Sequence, residues 1–517
     1  MKYPHSICYG LIKTGGLAAV LFSAAVVYGA AAGTNDIAAG PFQPDWQSLK
    51  RYECPEWFRD AKFGIWSVWG PQAVPEQGDW YARKMYVETE PDYQYHVAHY
   101  GHPSKFGYKD IIALWKAEKW DPARLMELYR QAGAKYFVVM ANHHDNYDLW
   151  DSKYQPVWNS VKTGPHKDIV GLWRTEALKA GLRFGVTEHN ARSLAWLQTS
   201  HGADTKGPLK GVPYDGADPR FVSLYHPPAK DSIGYPKPPS PEWANEWYLR
   251  SKDLLDTYKP DLFYFDGGVP FGDVGLRLVT HYYNANAQWH GGKMEAVLNV
   301  KNTPDPTYVD GTCVRDVERG VIDGISRLPW QTDTCVGDWF YKKGITYKSA
   351  GRVIHMLADI VSKNGNLLLN APLSPEGTLD PECEATLRGI GEWLAINGTA
   401  IYGTRPFTVF GEGPHIKNYD NDLLYNEDSI KYTYEDLRFT TKGDVVYVIS
   451  LGQPTKPLRV VSLGRSTLVV DNVTLLGSVE KIKWHVEDDA LLIEPASTWP
   501  TKYATVFVVK TKPSSAQ

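Results

Sequence analysis

The sequence predicts an α/β protein built as a (β/α)8-like TIM barrel, followed by a C-terminal antiparallel β-sandwich. Three observations carry this. From about residue 57 to 400, short runs rich in Val, Ile and Phe alternate with helical periodicity, the pattern of βα units around a parallel sheet. No glycine-rich phosphate loop follows the first run, which favours a barrel over a doubly wound sheet. Beyond Asn397 the pattern changes to alternating, β-branched runs separated by turn residues, as in a small sandwich.

In chain order the expected barrel strands are FGIWSVW (63–69), KYFVVMA (135–141), LRFGVTE (182–188), DLFYFD (261–266), EAVLN (295–299) and GNLLLNA (365–371). Between the first two lies DPARLMELYRQAG, a helix with punctuation at both ends: Asp121 as N-cap, Pro122 in the first turn and Gly133 after the last. Helical periodicity also marks 242–259, 349–363 and 383–398. The stretch from about 202 to 241 is rich in Pro and Gly and too long for an ordinary connection, so it is expected to lie over one barrel face. Sandwich strands are expected at 445–451, 466–476, 481–486, 490–495 and 504–512.

The domain division that follows is 1–32, 33–404 and 405–517. In the first part, Lys2 and Lys13 precede the apolar run LAAVLFSAAVVYGA and a small-residue stretch, the layout of a cleaved secretory signal. The run is short for a membrane span, so a secreted or periplasmic protein with no lasting membrane insertion is expected. Four cysteines remain beyond it, Cys54, Cys313, Cys335 and Cys383, too few for a disulfide scaffold and without zinc-ligand spacing. Whether Cys313 pairs with Cys335 is left open by the sequence.

With 55 basic and 59 acidic residues mixed along 517, no basic stripe is present to condense on phosphates, which argues against nucleic acid as a partner. Aromatic residues reach 13%, and such rings stack on flat apolar faces while their polar tips hydrogen-bond.

Barrel active sites are assembled at C-terminal strand ends, and several here carry polar groups. They are His143, His144 and Asp145; Glu188, His189 and Asn190; and Asp266 before Gly267 and Gly268. Two chemistries fit: metal-assisted hydrolysis through histidines and carboxylates, or glycoside hydrolysis by a carboxylate pair. In a strand, successive side chains face opposite ways, so His143 and His144 could share one metal only across a kink. The aromatic excess favours the glycosidase.

Several segments together resemble the α-L-fucosidases of glycoside hydrolase family 29. They are WFRDAKFGIWSVWG, GAKYFVVMANHHDNYDLWDS, GLRFGVTEHN, YKPDLFYFDGG, PWQTDTCVGDWFY and the long run from VSKNGNLLLNAP to GTRPF, spread in the family's order over about 57–407. The resemblance implies a barrel followed by a β-sandwich, and a retaining exo-glycosidase acting on fucosylated oligosaccharides or polysaccharides without cofactor or metal. It makes Asp266 the nucleophile. Glu318 is its best positional match for the acid/base among Asp310, Asp316, Glu318 and Asp323. His143, His144, Trp69 and Trp80 match its sugar-binding residues and Lys301 stands where some relatives have a sugar-contacting arginine, while Glu188, outside the family pattern, and Trp339, from the aromatic excess, are further expected sugar contacts.

Departures from the family pattern accompany these matches. Val68 stands where relatives carry a histidine, Thr187, Glu188 and His189 where tyrosines are common, and Gln331 where glutamate is usual. They point to an altered pocket, with a related sugar such as L-galactose or a non-catalytic fucose-binding role as alternatives.

Overall fold

The computed structural model of the chain describes residues 36–301, 308–416, 430–465 and 468–512. The expected export signal, 1–32, lies outside them. Eight parallel strands close into a barrel in chain order. They are β1 (Phe63–Ser67), β2 (Tyr136–Asn142), β3 (Arg183–Glu188), β4 (Leu262–Phe265), β5 (Val297–Lys301), β6 (Val314–Asp316), β7 (Trp330–Cys335) and β8 (Gly365–Asn370). Strand β1 pairs with both β2 and β8, which closes the ring. Gly64 is required there, because an added Cβ would sit 2.3 Å from the Tyr136 ring of the neighbouring strand.

The expected helices form at Pro122–Gln131, Pro241–Tyr258, Ala350–Ser362 and Pro381–Asn397. Asp121 caps the first through a 3.0 Å bond from the Arg124 amide, satisfying one of the orphan N–H groups of the first turn. Two further helices, Ile169–Lys179 and Asp273–Trp289, complete the outer layer. Strands β6 and β7 lack the apolar signature of the rest. Their buried Asp316, Gln331 and Asp333 bond within the barrel, with Gln331 Nε2 donating to Asp316 at 2.6 Å and Tyr264 to Asp333 at 3.0 Å. Residues 317–329, which join these two strands, contain no helix.

The stretch 202–241 folds into short turns, two 3-10 turns at Asp215–Ala217 and Pro219–Phe221, and one α-helical turn, Val222–Tyr225. It lies against the C-terminal face, where Tyr235 donates to the Gly268 carbonyl at 2.8 Å and Asp231 pairs with Arg83 at 2.8 Å. Past the barrel come β9 (Arg405–Glu412), β10 (Leu437–Lys442), β11 (Val445–Ser450), β12 (Leu458–Val460), β13 (Val469–Leu475), β14 (Trp484–Val486), β15 (Leu491–Ile493) and β16 (Thr505–Lys512). They make a five-stranded sheet, β13-β16-β11-β10-β9, and a three-stranded one, β12-β15-β14. Phe439, Val448 and Val509 of the first sheet bury against Leu458, Leu491 and Ile493 of the second. Each such side chain contributes about 1.5–3 kcal/mol of burial free energy.

No disulfide joins the four cysteines among the described residues, so Cys313 and Cys335 are not bridged. No helix among the described residues is long and apolar enough to cross a membrane.

Candidate active site

Asp266 follows β4 directly, and its side chain meets two cations. Lys301, the last residue of β5, places Nζ 2.5 Å from Asp266 Oδ1 and 2.5 Å from Glu318 Oε2. Two oxygens that share one ammonium at this range lie at most about 5 Å apart, at or under the about 5–5.5 Å of a retaining carboxylate pair and well short of the about 6.5–9.5 Å of an inverting one. Arg192 donates to the Asp266 carbonyl at 2.8 Å and reaches to 4.0 Å from its Oδ2. Burial alone would raise the Asp266 carboxyl, but Lys301 and Arg192 overcome it and hold the group well below the ordinary carboxylate range, so it is an anion at neutral pH.

The other oxygen of Asp266 faces two histidines. His144 Nε2 stands 3.2 Å and His189 Nδ1 3.4 Å from Oδ2. His144 Nδ1–H donates to the His189 carbonyl at 2.6 Å. Burial pulls its imidazole down to about 4 against the attraction of Asp266. His143 has a fixed tautomer. Gln72 Oε1 takes the Ala82 amide at 3.3 Å, so Gln72 Nε2 donates to His143 Nδ1 at 2.9 Å and Nε2 carries the proton. That N–H is left to point at Asp79, 3.8 Å away, or at a ligand hydroxyl. Both His143 and His144 face the cavity because the β2–β3 register shifts between Met140 and Asn142 and the pair lies beyond the strand end.

The cavity so formed holds about 260 Å³, with Trp66, Trp80 and Trp339 as aromatic walls and Val68, Asp79 and Asp333 completing it. Trp66 and Trp339 meet edge to face at 5.4 Å. The Asp79 carboxyl is pushed up to about 8 by burial and by Asp338, which lets it donate a hydrogen bond. Asp333 is raised to about 6 by burial, against the pull of Lys301.

Two expected sugar contacts fall elsewhere. Trp69 packs between Trp115 and Trp120, with ring centroids at 4.8 and 5.5 Å, and bonds the Ser374 carbonyl at 2.9 Å. The two-residue period that sends Trp66 and Val68 inward turns Trp69 outward. Glu188 likewise faces out of the barrel, accepting from Trp247 Nε1 at 2.7 Å and from the Asn190 amide at 2.6 Å, while His189 takes the pocket position. Of the four acid/base candidates only Glu318 lines the cavity. Asp310 is exposed beside Arg327, Asp323 is exposed, and Asp316 is sealed in the barrel interior, bonded to Gln331. Gln331 therefore touches no ligand space.

A family model for alpha-L-fucosidases matches residues 30–399. The chain belongs to the alpha-L-fucosidase family. It is 28% identical to the tissue alpha-L-fucosidase of Homo sapiens over 477 residues, covering 90% of each chain. It is 27% identical to the alpha-L-fucosidase of Branchiostoma floridae, covering 86% of this chain and 89% of that one. A crystal structure of the Thermotoga maritima alpha-fucosidase in complex with fucose is 28% identical, with a TM-score of 0.69 over 90% of this chain and all of that one. This fucosidase-family chain is thus a glycoside hydrolase with a barrel and a β-sandwich.

Sequence reading missed Trp66, Asp79, Arg192 and Asp333 as pocket residues, and it named His189 as a strand-end polar group but chose its neighbour Glu188 for the sugar. Trp66 was legible in the alternation along β1, since it shares a face with Val68. Asp79 and Asp333 carry no local signal. Donor atoms of His143, His144 and His189 lie within 4.8 Å of one another. The proton that Gln72 keeps on His143 Nε2 and the cations Lys301 and Arg192 nearby fit this wall to a neutral, hydroxyl-rich ring better than to a metal ion.

Proposed function

We propose that this fucosidase-family chain removes terminal α-L-fucosyl residues from oligosaccharides or polysaccharides with net retention, Asp266 acting as nucleophile and Glu318 as acid/base. The observation that carries the reading is the shared Lys301 ammonium, which keeps the two carboxylates closer than the about 6.5–9.5 Å that an inverting pair leaves for its water. In the first step Asp266 Oδ attacks the anomeric carbon while Glu318 gives its proton to the glycosidic oxygen. The C–O bond breaks with its electron pair going to the departing aglycone, and a fucosyl ester remains on Asp266. In the second step Glu318 takes a proton from water, whose oxygen attacks the same carbon and returns Asp266 as a carboxylate.

Neutral His143, with its N–H toward the cavity, Asp79 as a hydroxyl donor or acceptor, and Trp80 and Trp339 as walls would hold the sugar. The cavity is smaller than the about 300–1,000 Å³ of sites for drug-sized ligands, which fits one sugar ring and an exo-acting enzyme. Export from the cytoplasm is proposed from the 1–32 layout, and a mature N-terminus near Ala32 on protein sequencing is expected.

The test is hydrolysis of 4-nitrophenyl α-L-fucoside followed by NMR. The first product expected is α-L-fucose, and the β-anomer as first product would overturn retention. Azide should convert Asp266→Ala to a source of β-fucosyl azide and Glu318→Ala to a source of α-fucosyl azide.

A further inference from the structure

The stretch from Glu318 to the start of β7 has no helix to support it, and its contacts lead into the C-terminal sandwich. Lys363, fully buried just past helix Ala350–Ser362, donates from Nζ to the Ile322 carbonyl at 2.9 Å, and the Ser326 amide returns a bond to the Lys363 carbonyl at 3.1 Å. The same ammonium pairs with Asp359 Oδ2 at 2.9 Å. Asp359 Oδ1 accepts from Arg438 Nε of β10 at 2.6 Å. The Arg438 guanidinium in turn lies 4.9 Å over the Tyr432 ring, and Tyr432 packs with Ile430 on Val321, three residues after Glu318. A buried ion triad adds little net stability, because desolvation offsets the Coulomb attraction. What remains is the geometry it imposes on the backbone at Ile322.

We propose that the sandwich is a working part of the catalytic apparatus: Arg438, Asp359, Lys363 and Ile430 are positioning residues that hold the Glu318 loop against the pocket. The inference rests on Glu318 being the acid/base. A displacement of about 1 Å at such a group costs roughly 100-fold in rate, so a loose loop would disable proton transfer while leaving Asp266 on its own strand end intact.

The experiment compares Lys363→Met and Ile430→Ala with the parent enzyme on two substrates, 2,4-dinitrophenyl α-L-fucoside, whose leaving group needs no proton, and phenyl α-L-fucoside, whose leaving group does. Lys363→Met leaves Asp359 and Arg438 as a neutral pair, and Ile430→Ala trims the apolar contact alone, so a folding failure in one leaves the other to decide. The readout is kcat/KM, which reports the first step. A fall of roughly tenfold or more on the phenyl substrate, with dinitrophenyl cleavage held within about threefold, is expected for a misplaced general acid. Equal losses on both substrates, or no loss on either, would overturn the proposal. Glu318→Ala run beside them should show the same split more strongly. Were Glu318→Ala to lose both activities equally, its assignment as acid/base would fall, and this inference with it; a split in Glu318→Ala alone would sink only the sandwich's role.

Discussion

Two buried ion clusters stand on either side of the β2–β4 wall, and they differ in access rather than in strength. Outside the barrel, Arg250 grips Asp148 with both arms, Nη2 to Oδ1 at 2.6 Å and Nε to Oδ2 at 3.2 Å, while Nη1 donates to Asn146 at 2.6 Å. Side-chain exposure there is 1% for Arg250 and 0% for Asp148. Inside, Lys301 joins Asp266 and Glu318, whose side chains keep 12% exposure each. His189 and Arg192 of that cluster line the same cavity as these carboxylates. The outer cluster has matched its donors to its acceptors and is finished. The inner one lines a cavity with its charged groups, and that combination of charge with an open face is what a catalytic site requires.

The comparison can be broken most forcefully at Asp266. Asp266→Ala should lower kcat on 4-nitrophenyl α-L-fucoside by roughly 10⁴-fold or more, as loss of a nucleophile does, with thermal unfolding little changed. Retained activity would remove the inner cluster from catalysis. The next largest effect belongs to the outer cluster. Arg250→Met strands the Asp148 carboxylate and should cost about 3–5 kcal/mol in a urea unfolding curve, while kcat of the enzyme that remains folded is unchanged. A loss of kcat without a loss of stability would merge the two clusters.

Glu188, at the edge of the outer cluster, sharpens the contrast through pH. Burial raises its carboxyl from 4.5 to about 7. A raised acid favours the folded state while protonated, so its contribution is full below about pH 4.5 and is lost as pH rises through 7. Glu188→Gln should therefore flatten the decline in Tm between about pH 4.5 and 7 and leave KM unaltered. A changed KM would return Glu188 to the pocket. The smallest expected effect is at Trp69. Trp69→Phe loses the bond to Ser374 and part of the ring packing on Trp115 and Trp120, about 1–3 kcal/mol of stability, with KM again unchanged.

How much of this was legible depended on whether the signal was local. Helix Pro122–Gln131 announced itself through Asp121 and Pro122, and β2, β3 and β4 through apolar runs. Strands β6 and β7 were passed over because a barrel interior accommodates polar side chains wherever those bond one another, as Asp316, Gln331 and Asp333 do, and then no hydrophobic period remains to read. Trp69 and Glu188 were misplaced by a single residue. In a strand that is the difference between pocket and outer layer.

By itself the sequence determined the barrel, the sandwich and the candidacy of Asp266, because hydrophobic periods and strand-end motifs lie within a few residues of one another. Only the tertiary structure decided which of four carboxylates meets Asp266. Lys301 is 35 residues from Asp266 and 17 from Glu318, and Arg438 reaches Asp359 across 79. Contacts at such separations exist only once the barrel has closed and the sandwich has docked, since closure is what brings the ends of β4, β5 and β6 to one rim.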